Sequence, residues 1–524
     1  MPLTPAPPVL EVEVHQHLRA FLRDQGGQPW PHHLTLARLV ARALRLGRSS
    51  LIQLGTVGGN SSYRVSYLMA ALLWPKGAVV VAPEATLQQI MATDLPPLQQ
   101  WLPHQKPVHR GDRWPDPQFT GLLLTTPAAW LAPPDPGNPA FPPQIPTFIE
   151  GADDLEQWFI DYHTLGLQPQ DWLLLTLAYP QWADRVRDVQ VRLTHTLFHR
   201  PPNLYGCCLL DAYERVVLQE LLGHLQLSSP TLTLPEPWHR FQTALSQGQG
   251  MALAHLDRAQ GSFRLEWSPL NIADSLGDRW NQQPVVLLRE TVANVTQTAI
   301  SKGRLGLNDV TIVKFGLDRH TEQVRLYLPD HLPLPNTSYF YPALLVELRR
   351  LLTLSATSPG FAVVLINDRP LQSQVGATLA AEFGSRVQIE RLNHPNPPGS
   401  DPNPGILVSG WDFWRQHQQQ LPNPQLLVMA TLPLPSLEDP RVAGRVAYHK
   451  QRGQDWFHCY LLPHALVEIQ RAIAPVRRSQ GVLALLDLRV LHRSYGQQIL
   501  TTLSPMARLG YLDPSLFTPQ NCLV

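Results

Sequence analysis

The stretch from residue 405 to 503 constrains the fold of this chain more than any other. It holds three short apolar runs, ILVSG, QLLVMATL and GVLALLDLR, joined by connections that carry the charge. Apolar runs that do not alternate are what strands buried on both faces require, which predicts a parallel sheet covered by helices. Before the last run lies PHALVEIQRAIAPVRR, in which Ala465, Leu466, Ile469 and Ile473 recur at helical spacing. This helix sets Arg471, Arg477 and Arg478 just ahead of the strand. Arginines massed there can hold an anion or simply end a helix in solvent, and the residues alone allow both. The fold class they predict is α/β.

In order along the chain, Phe413-Trp414, Leu432-Pro433, Asp439-Pro440, Pro463, Ala465, Gln470, Arg477, Asp487 and Arg489 resemble the C-terminal motor lobe of the DinG/XPD family of superfamily 2 DNA helicases. The family's motifs there read S-F-W-E-G-x-D, L-P-F-x-x-P-x-D-P, Y-x-x-P-x-A, Q-x-x-G-R-x-I-R and L-D-x-R. The resemblance implies two RecA-like motor lobes of P-loop NTPase type with a helical insertion in the first. It implies lobe 1 over 1–154 and again, with a linker, over 261–340, an arch-like insertion over 155–260, and lobe 2 over 341–524. It further implies nucleic acid, single-stranded DNA above all, as partner, with ATP and Mg²⁺ as cofactors. Phe413, Trp414 and Arg415 then fall at the nucleic-acid contact, and Gln470 and Arg477 at the nucleotide.

The start of the chain is read from its own residues first. VHQHLRAFLRDQ and HHLTLARLVARALRLG form two amphipathic helices, the second with Arg38, Arg42 and Arg45 opposite its apolar side. SLIQL then runs into the glycine-rich turn GTVGGNSSYR and a helix. Strand, glycine turn and helix cradle an anion, because free backbone N–H groups and a helix N-terminus converge there. Gly55, Thr56, Gly58, Gly59, Ser61, Ser62 and Arg64 are the candidate nucleotide-binding residues, although a relic turn reads equally well. Aligned to the family's G-K-[ST] through Tyr67-Leu68, the chain has Ser62, Tyr63 and Arg64. The lysine is missing, and an arginine takes the place of the hydroxyl that holds Mg²⁺.

The other chemical motifs depart in the same way. TFIEGADDLEQW stands where the family has D-E-A-H, with Glu150, Gly151 and Asp153 at the D, E and H places. Glu150 can hold a metal and is the candidate catalytic residue, whereas Gly151 cannot polarise water. Asp153 and Asp154 also read as a cap for the following helix. The motif S-A-T-L has become Arg289-Glu290-Thr291-Val292, and the Gly-Arg after Gln470 has become Ile473-Ala474. An arginine finger alone is worth about 10³–10⁵ in rate, so this combination predicts an impaired or lost ATPase on a retained helicase body. The alternatives are an active ATP-dependent DNA helicase of repair or replication that uses Arg64 and Glu150, and a scaffold for protein partners.

Composition removes several other classes. The net charge is +1, so any nucleic-acid contact has to be local. Four scattered cysteines suit neither a disulfide framework nor a structural zinc site. Residues 99–145, where iron–sulfur members of the family place their ligands, contain no cysteine, so no cluster is expected. Neither a signal peptide nor a membrane span is expected, and the predicted location is cytoplasmic.

Overall fold

The computed structural model describes residues 9–26, 30–55, 61–133, 141–228, 233–316, 323–356, 360–390 and 405–517. The strands of the first sheet come from both sides of the insertion. They are β1 (Ser50–Gln53), β2 (Ala78–Val81), β3 (Val108–Arg110), β4 (Leu122–Thr125) and β5 (Thr147–Glu150), before it. Inside the insertion lie β6 (Leu165–Leu167), β7 (Cys207–Leu209), β8 (Gly250–Asp257) and β9 (Ser262–Pro269). After it come β10 (Val285–Arg289) and β11 (Thr311–Lys314), which complete an all-parallel sheet in the order β11-β1-β10-β5-β2-β4-β3.

The pleat divides these strands between two cores. Ile52, Val80, Leu124 and Leu288 point to the side packed by the N-terminal helices Leu10–Asp24 and His33–Leu46. Leu51, Val79, Leu123 and Leu287 point to the other side, against Trp130, Phe159 and Leu276. Burial on both faces is why these runs read as continuous apolar stretches.

The second sheet is also all parallel. It contains β12 (Val324–Tyr327), β13 (Ala362–Leu365), β14 (Val387–Ile389), β15 (Ile406–Ser409), β16 (Leu426–Met429), β17 (Val482–Leu485) and β18 (Met506–Leu509), in the order β14-β15-β13-β16-β17-β12-β18. The helix Leu462–Arg478 covers one face, setting Leu466, Ile469 and Ile473 against Leu427 and Leu483. The helix Phe340–Ser355 covers the other through Leu344, Leu348 and Leu351.

Two expected boundaries move. β12 is hydrogen-bonded between β17 and β18, so the second sheet begins before residue 341. The insertion is not only helical: β6, β9, β8 and β7 form an antiparallel sheet, and the β8–β9 hairpin carries it to Pro269, beyond residue 260. In β9, buried Phe263, Leu265 and Trp267 alternate with Arg264 and Glu266, the signature of a strand with one solvated face. Helices Ala183–Phe198, Ala212–Ser228 and Glu236–Gln247 pack with this sheet around Trp172, Trp238 and Phe241.

A cleft built from internal ion pairs

Parallel strands end together, so the C-terminal ends of β1, β5 and β10 and the turns beyond them face the second lobe. After β1 the chain turns at Gly55, whose φ is 66°, and a Cβ there would lie 2.9 Å from the Phe315 carbonyl oxygen. Only glycine fits that position. Thr56, Gly58 and Gly59 lie outside the described residues. Ser61 and Ser62 open the short turn Ser61–Tyr63, which leads directly into the helix Arg64–Leu73.

Arg64 is buried, and its guanidinium is held through Nε and Nη1. Nε donates to Glu150 Oε1 at 3.0 Å and Nη1 to Gln89 Oε1 at 3.1 Å, while Asp94 Oδ2 lies 3.5 Å away. The Tyr63 hydroxyl donates to the same Glu150 oxygen. Glu150 is 2% exposed. Burial opposes the charge on Arg64, but Glu150 together with Tyr67 and Tyr63 more than offsets it and holds the proton more tightly than usual. Burial, reinforced by Glu150, likewise pushes the Tyr63 and Tyr67 hydroxyls well up, and burial raises Asp94. At the position where the resemblance expects a Mg²⁺-holding hydroxyl, a guanidinium binds the Glu150 carboxylate expected to face the metal. These residues do not fit Mg²⁺. Among the described residues, no group of three or more His, Cys, Asp or Glu side chains is arranged to hold a metal.

Gly151 follows β5 with φ of 73°, in the left-handed region. The residue that the resemblance aligns with a catalytic glutamate thus has a backbone suited to glycine. Asp153 and Asp154 do not cap the next helix with their side chains. Asp153 Oδ2 instead accepts from the Glu290 N–H at 2.7 Å and Oδ1 from the Thr291 hydroxyl, tying the turn after β10 to the turn after β5. Asp154 binds Arg471 of the second lobe through two bonds of 2.8 Å. Gln470, expected at a nucleotide, spans the lobes too: it accepts from the Val292 N–H at 2.8 Å and donates to the Val292 carbonyl at 2.7 Å. Arg304 adds a pair with Glu156 and a 3.4 Å bond to the Cys459 carbonyl. Around a cavity of about 130 Å³ between the lobes stand Arg289, Arg304, Arg445, Arg471, Glu156 and Glu468.

The remaining candidates lie elsewhere. Arg477 donates to the carbonyls of Leu503 at 2.6 Å, Ser504 at 3.3 Å and Pro505 at 3.0 Å, which commits it to the segment before β18. Its expected place opposite the glycine turn is not what these bonds describe. Asp487 pairs with Arg489. Trp414 is 1% exposed and donates to the Ala472 carbonyl, so it is a core residue rather than a base-stacking one. Phe413 stacks on His417, and Arg415 lies near Asp412 and Glu468 at the cavity. Ile473 and Ala474, aligned by the resemblance with a Gly-Arg pair, are buried in the lobe. Sequence reading missed Tyr63, Asp94 and Arg471 as partners. Tyr63 at the lysine place was the available signal, because a phenol there needs a buried acceptor.

Two parallel sheets on either side of such a cleft form a two-lobed, RecA-like architecture. Residues 419–506 match the helicase C-terminal domain family. The chain is 29% identical over 106 residues to the ATP-dependent DNA helicase YoaA of Escherichia coli (strain K12), a match covering 20% of this chain and 17% of that protein. Its fold superposes on an XPD helicase with a TM-score of 0.58 at 12% identity, covering 92% of this chain and 99% of the other. For Xpd4 of S. tokodaii the TM-score is 0.60 at 13% identity, over 91% and 99%. The chain is thus similar to DinG/XPD-like superfamily 2 helicases, in sequence over its C-terminal part and in fold over most of its length. Among the described residues, no helix is long and apolar enough to cross a membrane.

Proposed function

We propose that this chain is a helicase-fold protein that binds nucleic acid and has lost its ATP-driven motor. The observation that carries this reading is the buried Arg64–Glu150 pair, closed at 3.0 Å and joined by the Tyr63 hydroxyl. Hydrolysis needs a cation on the phosphates, a metal, a base for water and charge on the transition state. In this cleft the cation is bound to one oxygen of the carboxylate, Glu150 Oε1, which also accepts from Tyr63. Gly151 has no base to offer, and Ile473-Ala474 contribute only packing. What remains is a set of side-chain pairs that hold the lobes together and a surface for a nucleic acid. Nucleotide, where it binds at all, binds weakly, and no iron–sulfur cluster belongs to the chain.

The test sets ATP hydrolysis beside single-stranded DNA binding on the same purified protein at low salt. The expected result is DNA binding without DNA-stimulated turnover, in colourless protein without stoichiometric iron. Robust turnover that collapses in Glu150→Gln would overturn the reading.

A further inference from the structure

With a net charge of +1, the chain draws a polyanion only where its cations gather. Residues 441–460 hold Arg441, Arg445, Lys450 and Arg452 against the single carboxylate of Asp455. That carboxylate is already taken by the N–H groups of Phe457 and His458 and by the His458 ring at 2.7 Å. On the helix Pro440–Gln451 and its C-terminal cap, Arg441, Arg445, Tyr448 and Arg452 follow at helical spacing and share one stripe. Val442 and Val446 face inward, and Gly444 lies against Met251 and Leu209 of the insertion.

Aromatic rings interleave with these cations. The Arg452 guanidinium lies 4.4 Å from the Tyr448 ring centre, Lys450 Nζ lies 5.5 Å from that of Trp456, and Arg445 lies 5.7 Å from that of Tyr460. Tyr460 in turn stacks with His449. Such pairs occur about once per 70–80 residues in proteins, so three within one short segment form a concentration. The arginine face of the helix His33–Leu46 shows nothing comparable, and there Arg45 is bound by Glu11. Lys450 and Arg452 are exposed and Tyr448 and Trp456 half-buried, while Arg445 and Tyr460 continue the stripe into the cavity between the lobes.

We propose that the stripe from Arg441 to Trp456 is the surface on which a single-stranded nucleic acid lies, its phosphates on Arg441, Lys450 and Arg452 and its bases against Trp456 and the Tyr448–Arg452 pair. It takes the place of Phe413, Trp414 and Arg415, and it rests on the nucleic-acid reading above. Rings set between cations suit unstacked bases on a tracked backbone, whereas a duplex offers no free base faces.

The test is fluorescence anisotropy with labelled oligothymidylate across a salt series. It compares the wild type with Lys450→Ala/Arg452→Ala, Trp456→Ala and Trp456→Phe. The double variant removes exposed side chains, so its melting should be unchanged. It should bind at least about tenfold more weakly at low salt, and its log–log salt slope should fall by about 1.4 for two lost phosphate contacts. Trp456→Ala should weaken binding roughly five- to hundredfold, and Trp456→Phe should restore most of it. If the wild type binds and these variants bind equally well, the stripe is wrong and the nucleic-acid reading stands. No binding by the wild type removes both. Polyglutamate competing as well as oligothymidylate would reduce the stripe to an unspecific cation patch and overturn the proposal.

Discussion

Arg471 and Asp154 meet as a fork on a carboxylate, with two bonds of 2.8 Å joining the second lobe to the first. The adjacent Gln470 closes a second two-point contact on the backbone of Val292. Planar, bidentate contacts of this kind fix orientation as well as distance, so the lobes are held by the chain's own side chains. Burial opposes the Arg471 charge, but the carboxylates of Asp154, Asp153 and Glu468 together more than offset it and hold the proton more tightly than usual.

Arg471→Ala should therefore loosen the lobes. The expected loss is about 1–3 kcal/mol in chemical denaturation, because Asp154 keeps its charge without a partner. Small-angle scattering should show a wider particle for Arg471→Ala/Gln470→Ala than for the wild type. Identical scattering and stability would mean that the lobes are held elsewhere.

Arg64 behaves in this structure as a structural cation. Arg64→Ala leaves Glu150 buried and uncompensated, and it should cost about 3–5 kcal/mol. Arg64→Ala/Glu150→Gln should recover part of that loss, because neither buried charge remains. A thermal melt of the three proteins reads both effects. An Arg64→Ala protein as stable as the wild type would show that the pair is not formed in solution.

Restoring a glutamate at position 151 should not restore a motor. The backbone there has φ of 73°, which costs a side-chain-bearing residue about 1–2 kcal/mol, and Arg64 still holds Glu150. Gly151→Glu is expected to lower the melting temperature and to leave ATP turnover at background in a phosphate-release assay.

Burial in the cleft pushes the Glu290 carboxyl up to about 7, and the carboxylates of Asp153 and Glu150 add to the rise. A raised acid binds its proton more tightly in the folded chain. Its contribution to stability is therefore full below the ordinary carboxylate range and is lost as pH climbs to about 7. Glu290→Gln should remove that dependence and stabilise the protein by about 1–3 kcal/mol at pH 8 relative to the wild type. Denaturation midpoints at pH 5 and pH 8 decide it. Parallel pH profiles for the two proteins would rule the effect out.

The order of apolar runs and charged turns was enough to determine two parallel-sheet lobes, because a strand covered on both faces has to be apolar throughout, as Val79–Val81 and Leu426–Val428 are. That Tyr63, Gly151 and Ile473-Ala474 stand where the resemblance expects a lysine, a glutamate and a Gly-Arg was legible too, since those are questions of residue type. What the side chains do instead was decided only by tertiary structure. Arg64 and Glu150 are 86 positions apart and Asp154 and Arg471 are 317 apart, and no local pattern states that such charges will meet. Trp414 reads as a stacking platform until its helix is docked and its indole is found against Ala472. Strand β9 was read as a return to the first lobe because alternation specifies that one face is buried, but not against which sheet, and it pairs instead with β8 and β6 of the insertion. Pairing of distant charges and the choice of packing partner follow from how the sheets and helices come together, and that is information a linear spacing does not contain.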